Sequence, residues 1–298
     1  MKMKNLKRMQ LCRFVAFCGF AFTHLAMAFA GDLSTITLAD KPVRIIRGFT
    51  VFKGAAGTPI QKDDIVETGT SGAQIEVSSE LMFSLAPDTK VYLANLQFGG
   101  TAQPEIVLIT GWLKVFDKRS GLSGRVLINT PLLRVSLENG FSIVHASASK
   151  TEMFAEEGLQ TIAELNDSGK PSAELKISRE QYAMRLEGQS FKIIPRPPKE
   201  FIAEMPMAFR DPVTAAPDRL KGVKIQAVKE READYADIEH WFKSNIAAKR
   251  SFVNRFRPRL KDPTFSQQLD TQLGQTLEWK QILHPPSPKR QDDTTTKY

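Results

Sequence analysis

The sequence predicts a mainly β protein, in which an all-β sandwich or short solenoid-like domain is followed by a small α-helical C-terminal module. The first observation is that apolar and polar residues alternate over short runs between Thr35 and Pro195, as in strands with one buried face. The second is that glycine-containing turn sequences separate these runs. The third is that apolar residues past Pro217 recur at spacings of three and four, which is typical of amphipathic helices.

The first 30 residues have the three parts of a cleaved secretory signal peptide. Five basic residues and no acidic one accompany an apolar run, Phe14 to Phe29, and the segment ends with the small-x-small sequence Ala28-Phe29-Ala30. A retained membrane anchor is the alternative, but the run spans about 16 residues where a spanning helix needs roughly 20. We therefore expect cleavage before Gly31, a periplasmic location and no stable membrane anchor in the mature protein.

Both cysteines, Cys12 and Cys18, lie within this predicted signal peptide. The mature chain is therefore expected to have no disulfide, no thiolate metal ligand and no cysteine nucleophile. Removal of the signal also lowers the formal net charge from +8 to +3, because five basic residues leave with it. Residues 217–298 hold 16 basic and 11 acidic side chains, so an anionic partner is to be sought there.

The individual strands follow from the alternation of apolar and polar residues. We predict strands at Val43–Ile46, Gln74–Val77, Leu81–Leu85, Val91–Leu93, Ile106–Ile109, Trp112–Phe116, Arg125–Ile128, Leu133–Leu137, Phe141–His145, Thr151–Ala155, Gln160–Leu165 and Ala173–Ile177. The glycine-containing separators between them, Asn139-Gly140 among them, are predicted to form tight turns.

Changes in composition divide the chain into five predicted regions. They are a signal peptide (1–30), an all-β domain (31–195), a Pro-rich linker (196–216), a small helical module (217–284) and a disordered tail (285–298). Within the linker, the apolar stretch from Phe201 to Phe209 is expected to lie back on one of the domains. Within the helical module, Asp237 and Asp262-Pro263 are helix-start signals, the first as a carboxylate cap.

Four segments resemble, in order, the FecR-like domain family, a periplasmic all-β domain first associated with iron-dicitrate transport regulators. They are Ile60–Ile75 with its Thr68-Gly69, Leu81–Leu93, Gly111–Val115 and Ile128–Val135 with its Thr130-Pro131. The sequence after Thr-Pro, Asn139-Gly140-Phe141, matches the family pattern only in part. The resemblance implies an all-β domain with a sensory or binding role, and the C-terminal part resembles the tails of soluble family members. With a signal peptide instead of the family's anchor and cytoplasmic module, this chain is not expected to carry a signal across the inner membrane alone.

Side chains that could support catalysis are scattered. His145, His240 and His284 lack metal-ligand spacing, and no nucleophile elbow or phosphate-binding loop occurs. His145 is expected to be a half-exposed sheet residue. The adjacent carboxylates Asp63-Asp64, Glu156-Glu157 and Asp292-Asp293 are expected to be solvated charges, because neighbouring strand positions point apart. We therefore predict a non-enzymatic protein without cofactor or metal.

One cluster of cations stands out in the helical module. It contains Lys249, Arg250, Arg255, Arg257, Arg259 and Lys261, interleaved with Phe252 and Phe256. Cations beside aromatic rings can hold an anionic polymer, so these six residues are candidate anionic-ligand residues. The alternative is a basic helix face whose phenylalanines are core and whose arginines cover apolar surface.

The sequence thus favours a binding or sensory accessory at the cell envelope whose partner is another envelope protein, because exposed strand edges can receive an extended segment. One alternative is a protein that binds peptidoglycan or another anionic polysaccharide through the basic helices. A second is a glycan-acting envelope enzyme whose carboxylates meet only in the folded chain. Nucleic acid is not an expected partner in that compartment.

Overall fold

The structure is a computed structural model that describes residues 34–97, 102–119, 124–166, 169–213 and 223–285. The predicted signal peptide, residues 1–30, lies outside the described residues, as does the predicted tail apart from Pro285. The predicted mainly β fold class is confirmed.

Within the described residues, fifteen strands form one continuous hydrogen-bonded sheet. They are β1 (Thr35–Ala39), β2 (Val43–Arg47), β3 (Thr50–Gly54), β4 (Ile65–Glu67), β5 (Ala73–Ser78), β6 (Leu81–Leu85), β7 (Lys90–Asn95), β8 (Glu105–Asp117), β9 (Val126–Asn129), β10 (Leu133–Ala146), β11 (Lys150–Glu164), β12 (Leu175–Ile177), β13 (Tyr182–Leu186), β14 (Lys192–Ile194) and β15 (Val228–Glu232). All pairings between them are antiparallel except β8 with β9.

The sheet folds on itself because the three long strands bend and change neighbours midway. The first half of β8 pairs with β7 and β9, and its second half pairs with β6 and β10. Likewise, the first half of β10 pairs with β9 and its second half with β8. The bends fall at glycines with positive φ: Gly111 at 95°, Gly140 at 154° and Gly158 at 88°. Two layers result, and the long strands run through both.

The first layer has the strand order β1, β5, β6, β8, β10, β11, β13, β14, with the long strands contributing one half each. The second layer has the order β15, β3, β2, β4, β7, β8, β9, β10, β11, β12. The main core lies between them and includes Ile45, Phe83, Leu108, Val115 and Val144. Of the two predicted architectures, a sandwich and a short solenoid-like domain, the sandwich is therefore the correct one.

In the part of the chain that the structure describes, six α-helices follow the first fourteen strands. They are α1 (Lys199–Glu204), α2 (Met207–Arg210), α3 (Tyr235–Lys243), α4 (Lys249–Phe256), α5 (Pro263–Leu273) and α6 (Leu277–Leu283), with a 3₁₀ helix at Arg257–Lys261. The short α1 and α2 cover the outer face of the first layer, where Phe201, Met205 and Phe209 pack against Trp112 and Tyr182. The expectation that the segment Phe201 to Phe209 lies back on the protein is confirmed.

Helices α3 to α6 cover the outer face of the second layer. Their buried aromatic residues, including Trp241 and Phe252, pack on strand residues such as Tyr92, Val107 and Ile109. Phe252 meets Tyr92 edge to face, with ring centroids 4.9 Å apart. Each outer face of the sandwich thus carries an apolar cluster that is covered by helices of the same chain.

Three local predictions need correction. Asn139-Gly140 forms a bulge inside β10 and not a tight turn, although both residues have positive φ. Helix α3 is capped by Asp234, and Asp237 lies three residues further on, where its carboxylate accepts the Asp234 N–H at 2.8 Å. Residues 228–232 were predicted to belong to a helical module, but they form strand β15, which pairs with β3.

The start of α5 is as predicted: Asp262 accepts from the N–H groups of Thr264 and Phe265.

Candidate functional site

Half of the six candidate cations are engaged in contacts within the chain. Arg255 donates to the backbone carbonyls of Ile46, Gly48 and Asp63, and its guanidinium lies 5.3 Å from the centre of the Phe256 ring. These bonds fasten α4 to the end of β2, to the turn that follows it and to the segment before β4. The guanidinium of Arg255 is therefore a structural donor.

Arg259 and Lys249 are also paired. The buried Arg259 donates from Nε to the Ala233 carbonyl at 2.9 Å and from Nη2 to Asp262 Oδ2 at 2.8 Å, and it also pairs with Glu232. Lys249 Nζ lies 3.8 Å from Glu278 Oε1. Anionic-ligand binding at this cluster stays a prediction, and the side chains exposed for it are Arg250, Arg257 and Lys261.

We expect Arg259→Ala to lower the free energy of unfolding by about 2 kcal/mol, because it leaves the buried Ala233 carbonyl without its donor. The loss is moderated because Glu232 and Asp262 are partly exposed and can be solvated. The exposed Arg257 is the matched control, and Arg257→Ala should change stability by less than about 0.5 kcal/mol. Urea unfolding followed by tryptophan fluorescence measures both; equal effects would contradict the division of the cluster into structural and exposed cations.

A charged network joins α3 to the second layer. Glu67 Oε1 on β4 lies 3.0 Å from His240 Nε2 and accepts from Trp241 Nε1 at 3.3 Å. Beside it, Asp237 accepts from Arg44 Nη1 at 3.0 Å. Burial alone would raise the pKa of Glu67, but the hydrogen bond with His240 and the charges around the carboxylate lower it below its ordinary value. The network keeps this carboxylate ionised and holds the helix in place.

A second polar cluster lies on the outer face of the first layer. Glu152 accepts hydrogen bonds from the Tyr182 hydroxyl at 2.7 Å and from Lys150 Nζ at 2.9 Å, and its Oε2 lies 2.8 Å from His145 Nδ1. Trp112 stacks on His145 with ring centroids 4.2 Å apart. Burial by itself would raise the pKa of Glu152, but these hydrogen bonds and the Lys150 charge lower it to about 2.

The cluster gives His145 two partners, Glu152 and Trp112, that the sequence alone did not predict. His145 and Glu152 are direct cross-strand partners on β10 and β11, so the prediction that His145 is a sheet residue is confirmed, but its side chain is only 18% exposed and not half-exposed. Because Glu152 stays ionised, it has no proton to give at neutral pH. Its hydrogen bonds fix the aromatic side chains beneath α1.

The expectation of solvated acidic pairs is wrong for Asp64. Its carboxylate is fully buried and accepts from Arg47 at 2.9 and 2.6 Å and from the Gln61 N–H at 2.9 Å. The neighbouring Asp63 accepts from the Tyr92 hydroxyl at 2.6 Å. Asp292-Asp293 lies outside the described residues.

The described ranges contain neither a metal-binding group of side chains nor a membrane-spanning helix. No group of three or more histidine, aspartate or glutamate side chains there is arranged to hold a metal ion. In the same part of the chain, no helix combines the length and the hydropathy that a membrane crossing requires.

A cavity of about 280 Å³ lies between the second layer and the connection from α3 to α4. Its polar wall is a relay in which Arg134 Nε donates to Asn129 Oδ1 at 2.7 Å and Asn129 Nδ2 donates to Glu105 Oε1 at 2.6 Å. One cation and one carboxylate thus face each other across Asn129, so the wall carries no net charge for a ligand of a single sign.

Four strands end the two layers, and three of them are covered or protected against strand addition. The outer side of β1 is bonded to residues 57–60, where the Ile36 N–H donates to the Thr58 carbonyl at 3.0 Å. Lys229 on β15 is the register partner of Phe52, which packs on the main core, so it places a charge on the inward side of that edge. β14 is followed directly by Pro195, which cannot donate to a strand.

The fourth terminal strand, β12, lacks such protection on its inward side. Leu175 is the register partner of the core residue Ile162, so it faces the sandwich interior, as the buried Ile177 does two residues on. Leu175 is nevertheless 49% exposed. Among the described residues no strand lies beyond β12, so its outer backbone groups and one side of Leu175 are open.

Comparison with known proteins gives limited similarity. No protein-family model and no curated protein matches the chain. Two crystal structures of a "putative anti-sigma factor" from Parabacteroides distasonis ATCC 8503, at 2.50 and 1.65 Å resolution, are similar over 47% of this chain, each with a TM-score of 0.38 and 8% identity. The match covers 62% and 63% of those chains, less than two thirds of their length. The fold described above therefore rests on the strands and their pairing alone.

Proposed function

We propose that this chain is an exported, non-enzymatic FecR-like protein that acts as a binding or sensory accessory at the cell envelope. Its partner is another envelope protein, which adds an extended segment to the free edge of β12. The observation that carries the proposal is the half-exposed Leu175, which faces the sandwich interior on a terminal strand.

The positions of the FecR-like segments support the family part of the proposal. Ile60–Ile75 contains β4 and the beginning of β5, and Leu81–Leu93 contains β6 and most of β7. Gly111–Val115 begins at the bend of β8, and Ile128–Val135 connects β9 with β10. These segments lie in the middle of the two layers, as expected if they are the part of the sequence that determines the fold.

The coverage of the sandwich supports binding at an edge. Helices α1 and α2 cover one apolar cluster and α3 to α6 cover another, so a partner cannot reach either cluster without displacing helices. Edge strands remain. Of these, β1 is bonded to residues 57–60 on its outer side, and β15 and β14 carry features that oppose strand addition. At β12 an added strand would gain backbone hydrogen bonds and would cover Leu175.

The same geometry defines the partner's chemistry. The segment must be extended, without proline at its pairing positions, and must alternate apolar and polar residues. An apolar side chain of the segment would lie beside Leu175 and complete the cover of the main core at this side. Its other side chains would lie near the exposed Glu174 and Lys176.

We expect Leu175→Lys to weaken partner capture from envelope extracts at least tenfold, because it places an inward-facing charge on β12, the device that β15 already has at Lys229. Leu277→Lys on α6 is the matched control: it makes the same substitution at a leucine that is 81% exposed and far from the edge in sequence. Pull-down with immobilised mature protein, quantified by titration, measures the effect. A protein that is captured equally by both variants would contradict docking at β12.

A further inference from the structure

The cavity of about 280 Å³ beside the second layer is lined by two oppositely charged side chains on nearby strands. Arg134 on β10 is the register partner of Asn129 on β9, and Asn129 is hydrogen-bonded in turn to Glu105 on β8. Each of the three is adjacent in sequence to a residue of the main core, so all three side chains point to the outer face. The volume is just below the range of about 300 to 1,000 Å³ that holds drug-sized ligands, so an occupant must be small.

Both charged groups keep hydrogen-bonding capacity that the fold does not use. Within the described residues, the Arg134 side chain donates only from Nε, and the Glu105 side chain accepts only at Oε1. The two residues are partly exposed, and neither the Arg134 Nη atoms nor Glu105 Oε2 are among the buried atoms without a partner, so a ligand can reach them. Free Nη atoms suit a carboxylate, and a free carboxylate oxygen suits a cation.

The spacing of these charges restricts the form of the ligand. Only the Asn129 side chain separates them: Arg134 Nε lies 2.7 Å from Asn129 Oδ1, and Asn129 Nδ2 lies 2.6 Å from Glu105 Oε1. Asn129 is only 7% exposed, so packing and both hydrogen bonds hold it in place. A ligand that meets both charges must therefore carry a carboxylate and an ammonium close together. An anion alone would lie near Glu105, and a cation alone would lie near Arg134, which disfavours both.

The rest of the lining is mainly aliphatic. It consists largely of Ala94, Val107, Leu165, Ile246, Ala247 and Ala248. The hydroxyl groups among the other lining residues already donate within the chain: Tyr92 to Asp63 at 2.6 Å, and Ser251 to the Ala248 carbonyl at 2.7 Å. This wall therefore suits an apolar side chain, whose removal from water would favour binding.

We propose that this cavity binds a free aliphatic α-amino acid, such as leucine. The carboxylate of the ligand accepts from the Nη atoms of Arg134, its ammonium donates to Glu105 Oε2, and its side chain lies against the aliphatic wall. A neutral sugar is disfavoured because it would leave both charged groups without a partner of opposite charge. The proposal does not depend on strand addition at β12, because no residue of β12 lines the cavity.

Calorimetric titration of residues 31–298 with L-leucine and three analogues tests the charge requirement without any substitution. N-acetyl-leucine lacks the ammonium, leucinamide lacks the carboxylate, and leucyl-leucine carries both charges further apart. We expect leucine to bind and each analogue to bind at least tenfold more weakly. Absence of leucine binding, or an analogue that binds as tightly as leucine, would overturn the proposal.

Glu105→Gln assigns the ammonium contact to its residue. Glutamine still offers an oxygen to Asn129 Nδ2 but lacks the negative charge, so the affinity for leucine should fall at least tenfold, to that for N-acetyl-leucine. Glu138→Gln is the matched control, because Glu138 is a 52% exposed carboxylate on β10 that does not line the cavity, and this variant should bind leucine as wild type does. A Glu105→Gln variant that still prefers leucine tenfold over N-acetyl-leucine would overturn the assignment. Partner capture at β12 should be unchanged in both variants, which keeps the two proposals separable.

Discussion

Replacing Gly158 by alanine is expected to prevent stable folding, with a loss of more than about 4 kcal/mol in the free energy of unfolding. Gly158 has φ of 88°, and a Cβ built on it would lie 1.8 Å from the backbone oxygen of Asn139. The clash is with backbone on the paired strand β10, so no side-chain rotation relieves it. Relief requires β10 and β11 to separate at the bend that joins the two layers.

Gly188→Ala is the control, because it separates the effect of the steric clash on stability from the effect of the positive φ. Gly188 has φ of 72°, but a Cβ there meets no atom within 4 Å. This substitution should cost only the left-handed backbone penalty of about 1 to 2 kcal/mol. Far-UV circular dichroism and urea unfolding of both variants measure the difference; a Gly158→Ala variant as stable as Gly188→Ala would show that the bend is not tightly packed.

Glu152→Ala is expected to lower the free energy of unfolding by about 3 to 4 kcal/mol, because it removes the acceptor of several donors at once. Most of this loss comes from the Tyr182 hydroxyl, which would be left without its acceptor. Tyr182 is only 2% exposed, so water cannot replace Glu152 unless α1 moves away from the sheet. Glu180→Ala, at an exposed carboxylate with only a partly solvated ion pair, is the control and should change stability little.

The same carboxylate should make stability depend on pH. Its pKa in the folded protein is about 2, below the ordinary value of 4.5, so the folded state binds its proton less readily than the unfolded chain. The stabilisation is therefore complete above about pH 4.5 and is lost as the pH falls toward 2. Glu152→Gln should flatten this dependence in urea unfolding at pH 7, 4 and 3, and an unchanged pH profile would contradict the assignment.

Most strand positions could be predicted from the sequence, but the sequence did not show that pairs of predicted strands join into single long strands. Period-two alternation located the segments that became β8, β10 and β11, but each was divided in two. At Gly111, Gly140 and Gly158 the positive φ shifts the alternation by one residue, and a bulge and a tight turn have the same sequence signal there. Ile106 and Leu108 before the bend of β8, and Leu113 and Val115 after it, all face the main core, which shows the shift.

The candidate site could be predicted only in part, because it depends on contacts between distant segments. Arg255 donates to carbonyls roughly two hundred positions earlier in the chain, which composition cannot reveal. The Glu152 cluster follows from the register of β10, β11 and β13, and the sequence alone does not fix that register. Leu175 looked like an ordinary strand residue, because only the strand order shows that β12 is terminal.

Amide hydrogen exchange of residues 31–298, alone and with a protein captured from envelope extracts, tests the proposed strand addition at β12 most directly. The account predicts that amides of residues 173–177 exchange at least tenfold more slowly in the complex, while those of β14 and β15 are unchanged. Slowing confined to α3 to α6, or to β14 or β15, with residues 173–177 unaffected, would contradict it.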